Sequence, residues 1–385
     1  MKLETYGISP ERGFLPVFDP VANTGAMEFD ATVGAITLNL PKAMVGGHLR
    51  NTIADLPEMD VEHLLAVLDE PQRAAMMRTY SYLTHAYVWG ETPPPKTLPQ
   101  NIARPFVNLA AHFDRPPVLS YESYALNNWM RLNPTGPVEI GNIALVQNFL
   151  GGVDEEWFIL IHVEIEAKAA PAIAQIPNLL NATESEDCTA VEASLMVVAQ
   201  ALSGMHQTLT RMTERCDPYI YYRRVRPYIH GWKNNPAMTD GLIYEGVDTQ
   251  AQFYRGETGA QSTIIPMLDA VLCIGHEEDE LRTYLMEMRT YMPPGHRDFL
   301  AEVEKRSRLR AFVKDQCGPT VRELYNTCVQ HIGDFRAKHL EFAASYIHAQ
   351  AESGDNPVHV GTGGTPFMAY LKKHRDESRR HLIIG

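Results

Sequence analysis

The residue in this chain whose type and setting most suggest chemistry is His339. It stands in an apolar stripe formed by Val321, Tyr325, Cys328, Ile332, Phe335, His339, Phe342 and Tyr346, which step by four and three. That spacing places all eight on one face of a helix, where a leucine would be expected at 339. A buried imidazole needs a partner for each ring nitrogen. A core histidine bonded to a backbone carbonyl is the simpler reading. The sharper one is an iron ligand, because a helix-borne histidine in a bundle is a common way to hold a haem. Arg336 lies one turn earlier on nearly the same face, within reach of an acidic group on such a cofactor. Two glycine-rich stretches also carry polar groups. Gly361-Thr362-Gly363-Gly364-Thr365 lacks dinucleotide-binding spacing, and Arg255-Gly256-Glu257-Thr258-Gly259-Ala260-Gln261-Ser262 lacks the Gly-Lys-Ser/Thr of a phosphate loop.

The elements that must position these residues are mostly helices. Periodicity predicts two long ones, over 188–213 and 318–350, and shorter ones over 60–89, 102–114, 261–275, 280–291 and 365–378. The segment 156–170, around His162, fits either a strand or a helix. Residues 1–58, rich in Pro, Gly and Asn, read as loops and short elements packed on something larger. Turn residues flank a short apolar run over 133–153, a candidate boundary between a small domain at 1–150 and a larger one at 151–385. The fold class is mainly α.

The chain has 385 residues, 45% hydrophobic and 21% charged, which is long enough to enclose a cofactor. Its net charge of -13 argues against nucleic acid as a partner. The five cysteines are odd in number and none forms a C-x-x-C, which argues against a disulfide framework, a structural zinc site and covalent haem attachment. No secretory h-region and no uncharged apolar run of membrane-spanning length stand out. A cytoplasmic protein with no membrane partner is the expectation.

The chain resembles the indoleamine 2,3-dioxygenase family. The matching segments are Tyr87-Val88-Trp89-Gly90, Leu98-Pro99-Gln100-Asn101-Ile102-Ala103, Gly231-Trp232-Lys233-Asn234-Asn235-Pro236, Asp240-Gly241-Leu242-Ile243-Tyr244-Glu245-Gly246, Gly259-Ala260-Gln261-Ser262, Met288 to Arg297, and Gly361 to Thr365. They occur in family order and cover nearly the whole chain. The resemblance implies a small N-terminal domain and a larger all-helical domain that sandwiches haem b. It makes His339 the proximal ligand of the haem iron and puts Asp269 and Arg336 near it, fixing a propionate or each other.

On the substrate side, the resemblance makes Arg226 the arginine that takes the amino-acid carboxylate, which suits the planar fork of a guanidinium. Thr362 matches a loop threonine that closes on the amino acid, in a loop expected to act as a lid over 352–365. Tyr121, Tyr221 and Tyr222 match aromatic positions around the indole. The chain also departs from the family. Leu160 stands where the animal enzymes carry a serine above the iron, with His162 two residues on. Tyr124 replaces a smaller residue of the substrate pocket, and Glu257 and Thr258 replace small ones beside the haem. The implied activity is oxidative opening of the indole ring of L-tryptophan to N-formylkynurenine, using O2 and a cellular reductant. Another indole substrate, or an oxygen-binding haem protein of the same fold, is the alternative.

Overall fold

The computed structural model describes residues 1–350, Thr362 and 367–384. Its longer helices are α1 (Glu70–Trp89), α2 (Gln100–His112), α3 (Val153–Glu184), α4 (Cys188–Thr210), α5 (Ile264–Val271), α6 (Glu280–Arg289), α7 (Pro294–Arg306), α8 (Leu309–Gln316), α9 (Pro319–Tyr346) and α10 (Phe367–Arg379). Among the described residues there are five strands of two or three residues: Leu242–Tyr244 lies between Thr97–Leu98 and Ala251–Gln252, and Trp129–Arg131 pairs with Ile143–Leu145. The chain is thus mainly helical, as its periodicity predicts.

Local chemistry sets the helix starts. A capping box closes the start of α1, with Asp69 and Gln72 each bonding the other's backbone N–H. This stop divides the predicted 60–89 helix into Val61–Val67 and α1. Asp187 caps α4 by accepting from the N–H groups of Thr189 and Ala190, both at 3.0 Å. Pro319 begins α9 at a position where its missing N–H costs nothing.

Helix α3 resolves the ambiguity over 156–170 and extends well past it, through Pro171 and Pro177, to 32 residues. It is apolar nearly all round because it serves two cores. Ile161, Ile165, Ala169 and Ile173 pack with Leu195, Leu202, Met267, Phe299 and Ile332. Ile159, Leu160 and Val163 pack with Tyr80, Leu83, Phe106, Trp129 and Trp232. The N-terminal loops contribute to both, through Phe14 on one side and Leu15 on the other.

One feature departs from the cysteine reading. Cys188, at the start of α4, and Cys317, just past α8, form a disulfide with Cα atoms 5.7 Å apart. Its partners are 129 residues apart, so spacing gave no sign of them. Cys216, Cys273 and Cys328 are free thiols.

Candidate haem and substrate cavity

A cavity of about 760 Å³ opens between α3, α5, α9 and α10. Its size lies within the range of cofactor pockets, roughly 300–1,000 Å³. Phe158, Ile165, Met205, Leu209, Phe335 and Phe342 give it apolar walls. His339 projects into it from α9. The stripe that carries His339 is buried from Val321 to Ile332 and then meets the cavity, so the imidazole has an open face where a core residue would have none. Among the described residues neither ring nitrogen has a hydrogen-bond partner, which removes the simple core-histidine reading. Deep placement depresses its pKa to about 4, and the charge of nearby His162 adds to the fall. The ring is therefore neutral near pH 7, the form that binds a metal.

His162 lines the same cavity from α3. Its Nδ1 lies 2.7 Å from the carbonyl of Phe158, and a carbonyl only accepts, so Nδ1 carries the proton. Nε2 is then an acceptor lone pair in the neutral ring. Burial lowers its pKa as well. Leu160 is absent from the cavity wall and packs in the second core. The reason is helical geometry. Residues two apart on a helix point about 200° apart, so a helix that turns His162 to the cavity turns Leu160 away.

Arg336 and Asp269 also reach the cavity and grip each other, with Nη1–Oδ1 at 3.1 Å and Nη2–Oδ2 at 2.5 Å. Arg336 bonds Ser378 of α10 too. His276 adds Nε2 at 3.1 Å from Asp269 and Nδ1 at 2.7 Å from Glu377. Burial opposes the Asp269 charge, but Arg336 and His276 outweigh it and hold the carboxyl at about 2. Thr258 lines the wall, and its hydroxyl accepts from the N–H of Ala260.

Two π-helical turns, Glu122–Leu126 just after Tyr121 and Tyr221–Val225, position the wall residues Tyr121 and Tyr221. Tyr121 stands edge-on to His162 with ring centres 6.1 Å apart, and Tyr221 lies 4.6 Å from Phe158. Tyr124 sits one layer back, behind Phe158 and against Tyr82, rather than on the wall. Arg226 is fully buried with its guanidinium over the Tyr222 ring, 5.6 Å from its centre, beside the cavity rather than on its wall. Thr362 is on the wall; its hydroxyl donates to the carbonyl of Glu257 and its own carbonyl accepts from Gly231. The rest of the expected lid lies outside the described residues.

The sequence reading did not single out Phe158, Glu166 or Ser262. Phe158 and Glu166 lie four residues either side of His162, so a helical reading of 156–170 puts all three on one face. Ser262 donates to Glu166 at 2.8 Å, and both carry Tyr121 on the wall. Burial raises the Glu166 pKa to about 7 against those bonds.

A neutral, open imidazole in an apolar cavity, a buried arginine beside it and a second histidine near the first fit a haem held by one axial ligand. Residues 2–381 match the family described as Indoleamine 2,3-dioxygenase. The chain is 35% identical to Indoleamine 2,3-dioxygenase 1 of Rattus norvegicus over 90% of its own length and 88% of that protein's. It is 32% identical to Indoleamine 2,3-dioxygenase 2 of Homo sapiens over 100% and 96%, and 28% identical to Indoleamine 2,3-dioxygenase of Saccharomyces cerevisiae over 98% and 92%. The chain belongs to the indoleamine 2,3-dioxygenase family, whose members are haem-dependent dioxygenases.

Proposed function

We propose that the protein binds haem b through His339 and converts L-tryptophan to N-formylkynurenine, adding both atoms of O2 across the indole C2–C3 bond. The observation that carries this reading is the unpartnered, neutral imidazole of His339 in the aromatic-walled cavity it shares with His162. The haem, when bound, supplies the oxygen chemistry; the protein supplies ligation, orientation and a dry pocket.

Each residue has a defined part. His339 would hold the haem iron, and Arg336, locked by Asp269 one turn away on the same helix, would present a guanidinium to an acidic group of the cofactor. Tyr121, Phe158 and Tyr221 form the slot for the indole. His162 Nε2, left as an acceptor by the Phe158 bond, takes the hydrogen bond of the indole N–H and sets the ring's orientation. Arg226 anchors the amino-acid carboxylate by turning from Tyr222 toward the cavity, and Thr362, bonded to Glu257 and Gly231, lies on the wall.

The test is a single-turnover mix of the reduced, haem-loaded protein with 18O-labelled O2 and L-tryptophan, followed by mass spectrometry. N-formylkynurenine carrying both labelled atoms is expected. A complex that holds O2 but leaves L-tryptophan and other indoles unchanged would identify an oxygen-binding protein instead.

A further inference from the structure

Glu257 is a carboxylic acid placed in the wall of a largely apolar cavity. It is 4% exposed, and its neighbours on the wall are Tyr121, Tyr221, Thr258 and Thr362. Among the described residues no cation pairs with it and no side-chain donor reaches it. It shares the cavity wall with Tyr121 and Tyr221, two of the rings that form the indole slot. Burial alone pushes its pKa up to about 8.

The backbone holds Glu257 in this position. Its N–H donates to the carbonyl of Ile229 at 3.0 Å, and its carbonyl accepts from Thr362. Gly231 and Gly256 pass so closely that a Cβ on either would meet the other's backbone nitrogen at 2.2 Å. The contact therefore fixes the backbone from which the Glu257 side chain projects.

A buried carboxyl with no partner among the described residues is held mainly protonated, because ionising it there carries a desolvation cost. A ligand that brings its own cation removes that cost, and a ligand of equal shape without one does not. We propose that Glu257 is a specificity-determining residue that pairs with the protonated amine of the substrate, so that the cavity selects indoles bearing an alkylammonium group. This rests on the indole reading above and adds to it. With Arg226 as carboxylate anchor, Glu257 makes recognition of an amino acid two-pointed. It also admits an indole-alkylamine that has no carboxylate.

L-tryptophan, tryptamine and indole-3-propionate separate these contributions, because the propionate is tryptophan without its amine. Binding to the haem-loaded protein would be followed by calorimetry and by the haem absorption band. In the wild type, L-tryptophan is expected to bind at least tenfold more tightly than indole-3-propionate. Glu257→Gln, which keeps the shape and removes the charge, should erase that margin by weakening L-tryptophan and tryptamine at least tenfold while leaving indole-3-propionate within twofold. A merely structural role would weaken all three alike, and that result overturns the proposal. Equal wild-type affinity for L-tryptophan and indole-3-propionate also overturns it, whatever the variant does, while leaving the indole reading intact. No binding of any of the three overturns both.

Discussion

His85 and His339 show how differently one side chain can be held. His85 is fully buried in α1 and uses both ring nitrogens, Nδ1 at 2.8 Å from the Tyr228 carbonyl and Nε2 accepting from the Leu119 N–H at 3.1 Å. It ties the helix to the turn that carries Arg226 and has nothing left to offer. Among the described residues nothing bonds either nitrogen of His339, and a cavity lies before it. His339→Ala should therefore abolish stable haem binding while the helix signal in circular dichroism stays within a few per cent. A stoichiometric complex with an unchanged Soret band would sink the assignment. The pKa near 4 adds a second expectation with a definite sign. Protons compete with iron for the ring only once it protonates, and burial has moved that point down from the usual value near 6.5. Haem affinity, titrated by absorbance, should be nearly flat from pH 8 to about 5 and should fall below about 4. A tenfold loss between pH 7 and 6 would show that the ring titrates normally in spite of its depth in the cavity.

At the scale of elements, α9 and α10 are joined by the Arg336 cluster, whose core is the buried Arg336–Asp269 pair. Removing one partner of such a pair leaves an uncompensated charge, typically costing about 3–5 kcal/mol. Asp269→Asn should show a loss of this order in urea unfolding at pH 7. The sign with pH follows from the depressed carboxyl. Its contribution is complete above the unfolded value near 4 and disappears as pH falls toward about 2, so the gap between wild type and variant should narrow only below pH 4. A gap that instead closes between pH 8 and 6 would rule out this pair as the source. The legibility of these elements followed their surroundings. Helices α4 and α9 each have a polar face, so the four-and-three rhythm of Val191, Leu195, Val198 and Leu202, or of Val321 to Tyr346, showed through. Helix α3 lies between two cores, so its apolar residues run all round and hide the period, while Pro171 and Pro177 add false stops. That blurring concealed the direction of His162 and let Leu160 pass as a cavity residue. Helices α7 and α8, amphipathic but short, were not anticipated. Arg226 was legible only by resemblance, since nothing in Arg223, Arg224 and Arg226 distinguishes the one that is fully buried.

For the whole molecule, the sharing of α3 decides how the two cores unfold. Leu160 and Ile161 are consecutive, yet one packs among Tyr80, Phe106 and Trp232 and the other among Leu195, Met267 and Ile332. Neither core can lose its face of α3 without stripping the other, and the cavity with His162 and His339 lies against that same helix. A chain joined only by a linker would melt in two steps, because few contacts would cross between its parts. Here the crossing element is itself part of both interiors, so the described fold should unfold in one cooperative step. Leu160→Ala and Ile161→Ala each remove a buried branched side chain, a change that usually costs 2–5 kcal/mol. Each should lower the midpoint of the same single transition by a similar amount, although they act on opposite sides. Haem should raise that one midpoint, because it binds only the folded cavity. Differential scanning calorimetry checks all three expectations. Two resolved transitions, with Leu160→Ala moving one and Ile161→Ala the other, would show that α3 does not couple the cores.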